Sequence, residues 1–291
     1  MESHRLFGSL DNAREYAKEA IVAATFGYHC GPTRADDCSR LRTAKFTAIF
    51  LYLDDTTHPQ VMSADRWAAF HASLIALLRG AGQGAEHSAL LDWLAELRRV
   101  GAGAPDALAD FDDSFLDYCL SLDDERRATP AAMSAQEFLD LRRRTIFVEP
   151  VLNQWRVSMG INVPPSDPFR PLLMAAQGMA RDLVIFANDL GSLARDSTAE
   201  VTEKNLILHD ALRGDGQLGP AAERAIAAYN ALVERLEQKL AEGRTAGAPF
   251  CAALADVLQG LVNGNLDSMA ILEARYARSE PYLRRLRYVD T

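Results

Sequence analysis

The chain has 291 residues, 48% of them apolar and 24% charged, with a net charge of −9. Such a composition suits a globular chain with a substantial core, and its acidic balance argues against non-specific nucleic-acid binding. An anionic ligand would have to be held by a local cluster of cations or metals, because the overall field repels it. Cys30, Cys38, Cys119 and Cys251 lack metal-ligand spacing and read as the reduced thiols of a cytoplasmic protein. Met1-Glu-Ser-His-Arg-Leu6 shows no basic stretch followed by an apolar core, so no secretion signal is expected. No uncharged apolar run reaches the roughly 18 residues of a membrane span.

Helical periodicity runs through most of the chain, and strand-like alternation is scarce. A first helix is predicted over Leu10–Ala24, closed by Gly31-Pro32. Arg40–Asp55 is a second, with a strongly apolar half from Phe46 to Leu53. Ala64–Arg79 places Trp67, Phe70, Leu74, Leu77 and Leu78 on one face. Ser88–Val100 and Pro105–Leu122 come next, then a charged connector, Asp123-Asp-Glu-Arg-Arg127. Ser134-Ala-Gln-Glu137 has the form of a capping box, which predicts a helix from there to about Gly160, kinked at Pro150. After the break at Val163–Pro168 come Leu172–Arg195, Pro220–Glu242 and Pro249–Ala277. With no repeat, linker or boundary in view, the expectation is one all-α domain over residues 1–291, a bundle of roughly nine to eleven helices.

Three polar constellations stand out. On a helix, Asn188, Ser192 and Asp196 recur at i, i+4 and i+8 and form one row. Amide oxygen, hydroxyl and carboxylate are hard donors of the kind Mg²⁺ accepts while keeping several waters. A polar cap with a charged surface stripe is the alternative that periodicity leaves open. Asp54-Asp55 ends an apolar helix, where adjacent carboxylates repel and oppose the negative end of the helix dipole unless a cation neutralises them. An ordinary polar terminus is the alternative. Arg142-Arg143-Arg144 offers guanidinium forks that suit a phosphate, or else a basic surface face.

The stretch Asn188-Asp-Leu-Gly-Ser192-Leu-Ala-Arg195-Asp196 resembles the Asn-Asp-x-x-Ser-x-x-(Arg/Lys)-(Glu/Asp) metal-binding triad of class I terpene synthases. Glu203-Lys204-Asn205-Leu206-Ile207 is similar to the segment just after that triad in bacterial members. Asp54-Asp55-Thr56-Thr57-His58 resembles the family's aspartate-rich motif, with His58 in place of the last carboxylate. Leu141-Arg-Arg-x-Thr145 resembles the bacterial diphosphate-sensing segment; its Arg142 lies 46 residues before Asn188. Gly264-Asn265-Leu266-Asp267 with Arg275-Tyr276, 87 residues after Asn188, resembles the C-terminal Gly-Asn helix and its Arg-Tyr pair. Arg287-Tyr288 is a rival pair without the Gly-Asn context. The family's aromatic at about Ser268 is missing.

The resemblance implies an all-α bundle around a deep apolar cavity and a linear prenyl diphosphate substrate, with farnesyl preferred and geranylgeranyl second. Three Mg²⁺ would bridge the diphosphate to Asp54 and Asp55 on one side and Asn188, Ser192 and Asp196 on the other. Arg142, Arg195, Lys204 and Arg275 would add positive charge, and Tyr276 would help to hold the diphosphate. His58 is expected to be a bystander, because a hard cation prefers oxygen to imidazole nitrogen. Thr145 and Ile146 would sit where a helix breaks beside the substrate. Phe50, Phe147, Trp155 and Phe186 would offer aromatic faces to a carbocation, with plain core packing as the alternative for each. The product would be a terpene hydrocarbon or alcohol, with no partner beyond the substrate required and a homodimer left open. The rivals are a chain-elongating prenyltransferase, which would need two full aspartate-rich motifs, and a non-catalytic helical protein of the same fold.

Overall fold

The computed structural model describes residues 13–57, 62–80, 88–198, 204–214, 216–272 and 276–290. Among them there is no strand. The helices are α1 (Ala13–His29), α2 (Asp37–Thr57), α3 (Ala64–Leu78), α4 (Ser88–Val100), α5 (Pro105–Arg127), α6 (Ala135–Thr145), α7 (Val148–Ser158), α8 (Arg170–Asp196), α9 (Leu206–Arg213), α10 (Leu218–Thr245), α11 (Cys251–Ile271) and the short α12 (Glu280–Leu283). None is long and apolar enough to cross a membrane.

The central element is α8. Leu173, Ala176, Ala180, Leu183, Ala187 and Leu190 recur at helical spacing and are all buried, so one stripe faces the core. The helix packs against α7, α9, α10 and α11. Local signals fix several ends. The Ser134 hydroxyl accepts the Glu137 N–H at 3.2 Å while Glu137 accepts the Ser134 N–H at 2.7 Å, the reciprocal capping box.

Five elements differ from expectation. Asp123–Arg127 is the last turn of α5 rather than a connector, stitched by Arg127–Asp123 at 2.6 Å across one turn. The long helix after Ser134 is divided, and the division falls at Phe147 and not at Pro150. Phe147 has φ 64°, the one positive φ outside glycine among the described residues. Pro150 sits in the first turn of α7, where its missing N–H would have had no intrahelical acceptor. The helices α9 and α12 form where the periodicity predicts none, and α11 ends at Ile271 rather than continuing to Ala277.

A non-glycine residue in the left-handed region costs of order 1–3 kcal/mol. Tertiary contacts hold Phe147 there. Its ring lies 4.5 Å from Phe46, 4.5 Å from Phe50 in a stacked pair, and 4.7 Å from Tyr118. Such pairs contribute roughly 0.5–1.5 kcal/mol each beyond burial, enough to offset the backbone term.

Glycines set a second close approach. A methyl group at Gly264 would fall 1.9 Å from the His29 carbonyl oxygen, and one at Gly260 would fall 2.2 Å from that of Gly31. Backbone contact therefore brings α11 down onto the end of α1. The Trp155 indole donates to the Cys30 carbonyl at 2.8 Å behind this junction. Elsewhere in the bundle, Asp110 is clamped by Arg170 and, at 2.7 Å, by Arg156. Burial works against the Asp110 carboxylate, but these two guanidinium groups outweigh it and hold its pKa below the ordinary value.

Candidate active site

A cavity of about 210 Å³ opens between α1, α2, α6, α7, α8 and α11. Its apolar wall includes Val22 and Phe26 of α1, Phe50 and Leu51 of α2, Val148 and Val151 of α7, and Val184 of α8. Its polar end carries Asp54, Arg142, Thr145, Asn188, Ser192, Arg195, Asn265 and Tyr276. Residues from four separate sequence motifs thus meet at one mouth, and Ile146 and Phe147 line it at the break between α6 and α7.

The three arginines of α6 separate sharply. Arg143 pairs with Asp182 at 2.7 Å and Arg144 with Asp124 at 2.8 Å, both on the partly exposed side. Arg142 points inward, is 9% exposed and donates to Asp189 at 2.5 Å. Burial opposes its charge, but Asp189, Glu125 and Asp54 outweigh that and keep the guanidinium protonated. Burial pushes the Asp189 carboxyl up, against the pull of Arg142 and the Leu206 N–H.

The row on α8 is held on its far side. The Ser192 hydroxyl donates to Asp196 Oδ2. Asp196 Oδ1 accepts from Arg195 Nε at 2.9 Å. Asn205 Nδ2 reaches Ser192 Oγ at 3.2 Å and Asp196 Oδ2 at 3.0 Å. Ser192 and Asp196 are buried and Asn188 is half-buried. Asp54, facing them from the last turn of α2, is exposed.

Tyr276 is buried against α8: a methyl group on Gly191 would come within 3.2 Å of its ring. Arg287 pairs with Glu234 at 2.8 Å and the Tyr288 hydroxyl donates to Asp267 at 2.8 Å, so the rival pair spans α10 and α11 on the surface. Trp155, Phe186 and Lys204 are not among the cavity's described lining residues. Trp155 is fully buried in the core, Phe186 packs against it, and Lys204 pairs with the buried Glu125 at 3.0 Å. Ser268, where the family's aromatic is absent, is 0% exposed and returns its hydroxyl to the Gly264 carbonyl at 2.6 Å. The side chain of Asp55, and all of His58 and Arg275, lie outside the described residues.

Sequence reasoning passes over Asp189, Asn205, and the wall supplied by α1. Asn205 has a signal, since Asn before Leu206-Ile207-Leu208 is a helix start. Asp189 is the second specified position of the Asn-Asp-x-x-Ser motif, but the motif gives no sign that it pairs with Arg142. Cys30, also on the wall, is a neutral thiol, pushed up to about 12 by burial.

The same arrangement of helices occurs in known proteins. The model of terpene synthase family 2, C-terminal metal binding, matches residues 45–239. The chain is a terpene synthase. The sesquiterpene synthase Agr8 of Cyclocybe aegerita is 25% identical over 303 aligned positions, covering 98% of this chain and 82% of the relative. Among solved structures, the linalool/nerolidol synthase of Streptomyces clavuligerus in complex with 2-fluorogeranyl diphosphate superposes with a TM-score of 0.74 at 22% identity, over 92% of this chain and 93% of that one. Aristolochene synthase from Penicillium roqueforti superposes with a TM-score of 0.67 at 15% identity, over 89% and 87%. The fold of this terpene synthase is therefore that of the class I enzymes, and its chemistry that of a carbon–oxygen lyase.

The matched region is the family's metal-binding part, so the enzyme uses a divalent metal. The residues fit one. Among the described residues no three His, Cys, Asp or Glu side chains form a ligand cluster. Instead one carboxylate, one hydroxyl and one amide oxygen stand in a row, a donor set of low charge. Mg²⁺ is bound in this way when substrate phosphates complete its shell. Three buried polar atoms of cavity-lining residues have no hydrogen-bond partner among the described residues: Arg142 Nε, Thr145 Oγ1 and Asn265 Nδ2. Each costs about 1–3 kcal/mol while unmet.

Proposed function

We propose that this terpene synthase is a Mg²⁺-dependent cyclase of linear prenyl diphosphates. Farnesyl diphosphate is the preferred substrate and geranylgeranyl diphosphate the second. The products are a terpene hydrocarbon or alcohol and free diphosphate. The supporting observation is the convergence of unmet buried donors with the Asn188–Ser192–Asp196 row on one cavity whose remaining wall is apolar. A diphosphate satisfies the donors, and the apolar wall accepts a hydrocarbon chain. The sesquiterpene relative has a product with the carbon count of farnesyl, which favours that chain length.

In this reading Arg142 offers its free Nε to a phosphate oxygen while Asp189 fixes the other side of the fork. Thr145 and Tyr276 add hydroxyl groups to the same anion. Asp54 faces the row from the opposite helix, with Asp55 beside it in sequence. Bound there, Mg²⁺ ions, three by the resemblance, would supply Lewis-acid stabilisation of the leaving diphosphate. Phe50 and Phe147 present ring surface to the hydrocarbon end, where cation–π attraction favours a carbocation. The apolar wall excludes water that would trap the cation early. Residues 1–291 act as one domain.

The test is incubation of the purified protein with geranyl, farnesyl and geranylgeranyl diphosphates, with and without Mg²⁺. Products are read by gas chromatography–mass spectrometry and diphosphate release is assayed in parallel. Cyclised product from farnesyl diphosphate, only with Mg²⁺, is expected. A longer prenyl diphosphate would establish an elongase instead, and absence of diphosphate release would establish a non-catalytic protein.

A further inference from the structure

We infer that Asn205 is a positioning residue for the metal row, acting through Ser192 and Asp196 from outside the cavity. The inference rests on the reading that this row takes Mg²⁺ together with a diphosphate. Asn205 lies on the segment leading into α9, nine residues beyond Asp196, and is 1% exposed. The two ends of its amide do different work. Oδ1 accepts the N–H groups of Ile207 at 2.9 Å and Leu208 at 3.3 Å and caps α9. Nδ2 donates to the Asp189 carbonyl at 2.7 Å, and reaches Ser192 Oγ at 3.2 Å and Asp196 Oδ2 at 3.0 Å.

With two N–H groups for three acceptors, one serves the Asp189 carbonyl and the other is shared across the hydroxyl–carboxylate pair. The Ser192 proton is directed at Asp196 Oδ2. The Asn205 N–H then takes one Ser192 lone pair, and the other is left toward the cavity that Ser192 lines. A single amide thus selects the rotamers of both groups before any ligand arrives. Partners of this kind, behind ligating groups, are worth about 10–100-fold in metal affinity. The residue type supports the assignment. Ser, Thr, Asp and Asn all make good caps, but of these only Asn carries N–H donors beside its acceptor. A cap alone does not call for an amide.

The two roles are separable by substitution. Asn205→Ser keeps a capping oxygen and loses the long donor arm. Asn205→Ala loses both. The measurements are the unfolding midpoint without metal and calorimetric binding of inorganic diphosphate across a Mg²⁺ titration. A lower midpoint is expected for both variants, with the serine variant falling less because it keeps the cap. Both should need about 10–100-fold more Mg²⁺ for half-maximal diphosphate binding. A serine variant whose Mg²⁺ titration matches wild type overturns the inference and leaves Asn205 as a cap. If the serine variant does not fold, the isosteric Asn205→Asp replaces it, with weaker binding expected and unchanged or tighter binding overturning the inference. Wild-type protein that binds no diphosphate with Mg²⁺ defeats the reading of the site itself, a result distinct from wild-type binding that the variants share.

Discussion

The two walls of the polar mouth are built on different terms. On α8 the groups are buried and already committed: Ser192 to Asp196, Asp196 to Arg195 and Asn205. On α2 the carboxylate of Asp54 stands exposed at the end of its helix. The α8 wall is buried and shaped in advance by its hydrogen bonds, and the α2 wall brings an exposed carboxylate to the tip of an apolar helix. The contrast teaches that two walls of one mouth need not carry an equal share of the fold's stability.

The largest expected effect is on turnover. Asn188→Ala or Asp196→Ala should abolish product formation while the helical circular dichroism signal persists; near-normal turnover in both would remove the row from the chemistry. Asp54→Ala should lose nearly all activity as well, and here the walls part company. Removing Asp196 strands the Ser192 hydroxyl and the Asn205 amide, at about 1–3 kcal/mol. Removing the exposed Asp54 should cost less, because solvent screens the interactions of an exposed carboxylate. Urea unfolding of the two variants reads the difference directly, and equal losses would break the comparison.

Arg142→Met tests the same contrast deeper in the site. It leaves Asp189 buried without its ion partner, an arrangement that costs about 3–5 kcal/mol, and the unfolding midpoint should fall accordingly. A smaller effect belongs to acid. The folded pKa of Asp110 lies below the ordinary 3.8. Its contribution to stability is therefore complete above that value and is lost as pH falls through the lowered one. Asp110→Asn should reduce the acid-side slope of unfolding free energy against pH and leave the slope near neutrality alone. The smallest effect is expected at His58. His58→Ala should retain most activity, with no change in the pH profile near the reference imidazole value of about 6.5; loss equal to that of Asp54→Ala would give the α2 wall a nitrogen ligand.

Much of the bundle is legible in the sequence because its signals are local. Ser134 and Glu137 announce a helix start within a single turn, and Asn188, Ser192 and Asp196 declare a row by spacing alone. The features that escape depend on azimuth and on partners distant in sequence. Three consecutive arginines fan around a helix, and Arg142 is the inward one because of where Asp189, Asp182 and Asp124 lie. Val22 and Phe26 read only as core, since a cavity wall and a packed interior have the same composition. The break at Phe147 carries no turn residue; an aromatic cluster enforces it, and Pro150 is the louder signal nearby. Unmet polar atoms also need location to be informative. Arg156 Nε and Nη2 and Gln177 Oε1 are unmet too, but they belong to the Asp110 side, away from the described cavity lining.

The glycines under α11 bear on how this protein can change. Where backbone meets backbone at Gly260 and Gly264, every larger residue collides with a carbonyl of the α1 end. Random mutagenesis should find these two positions closed. The mutable positions are side chains that project into the hollow from α1, α2 and α7, such as Val22, Phe26, Leu51 and Val151. Variation in the hollow's shape is thereby channelled to one side, and a combinatorial library drawn from those positions samples new contours without loosening the frame that carries them.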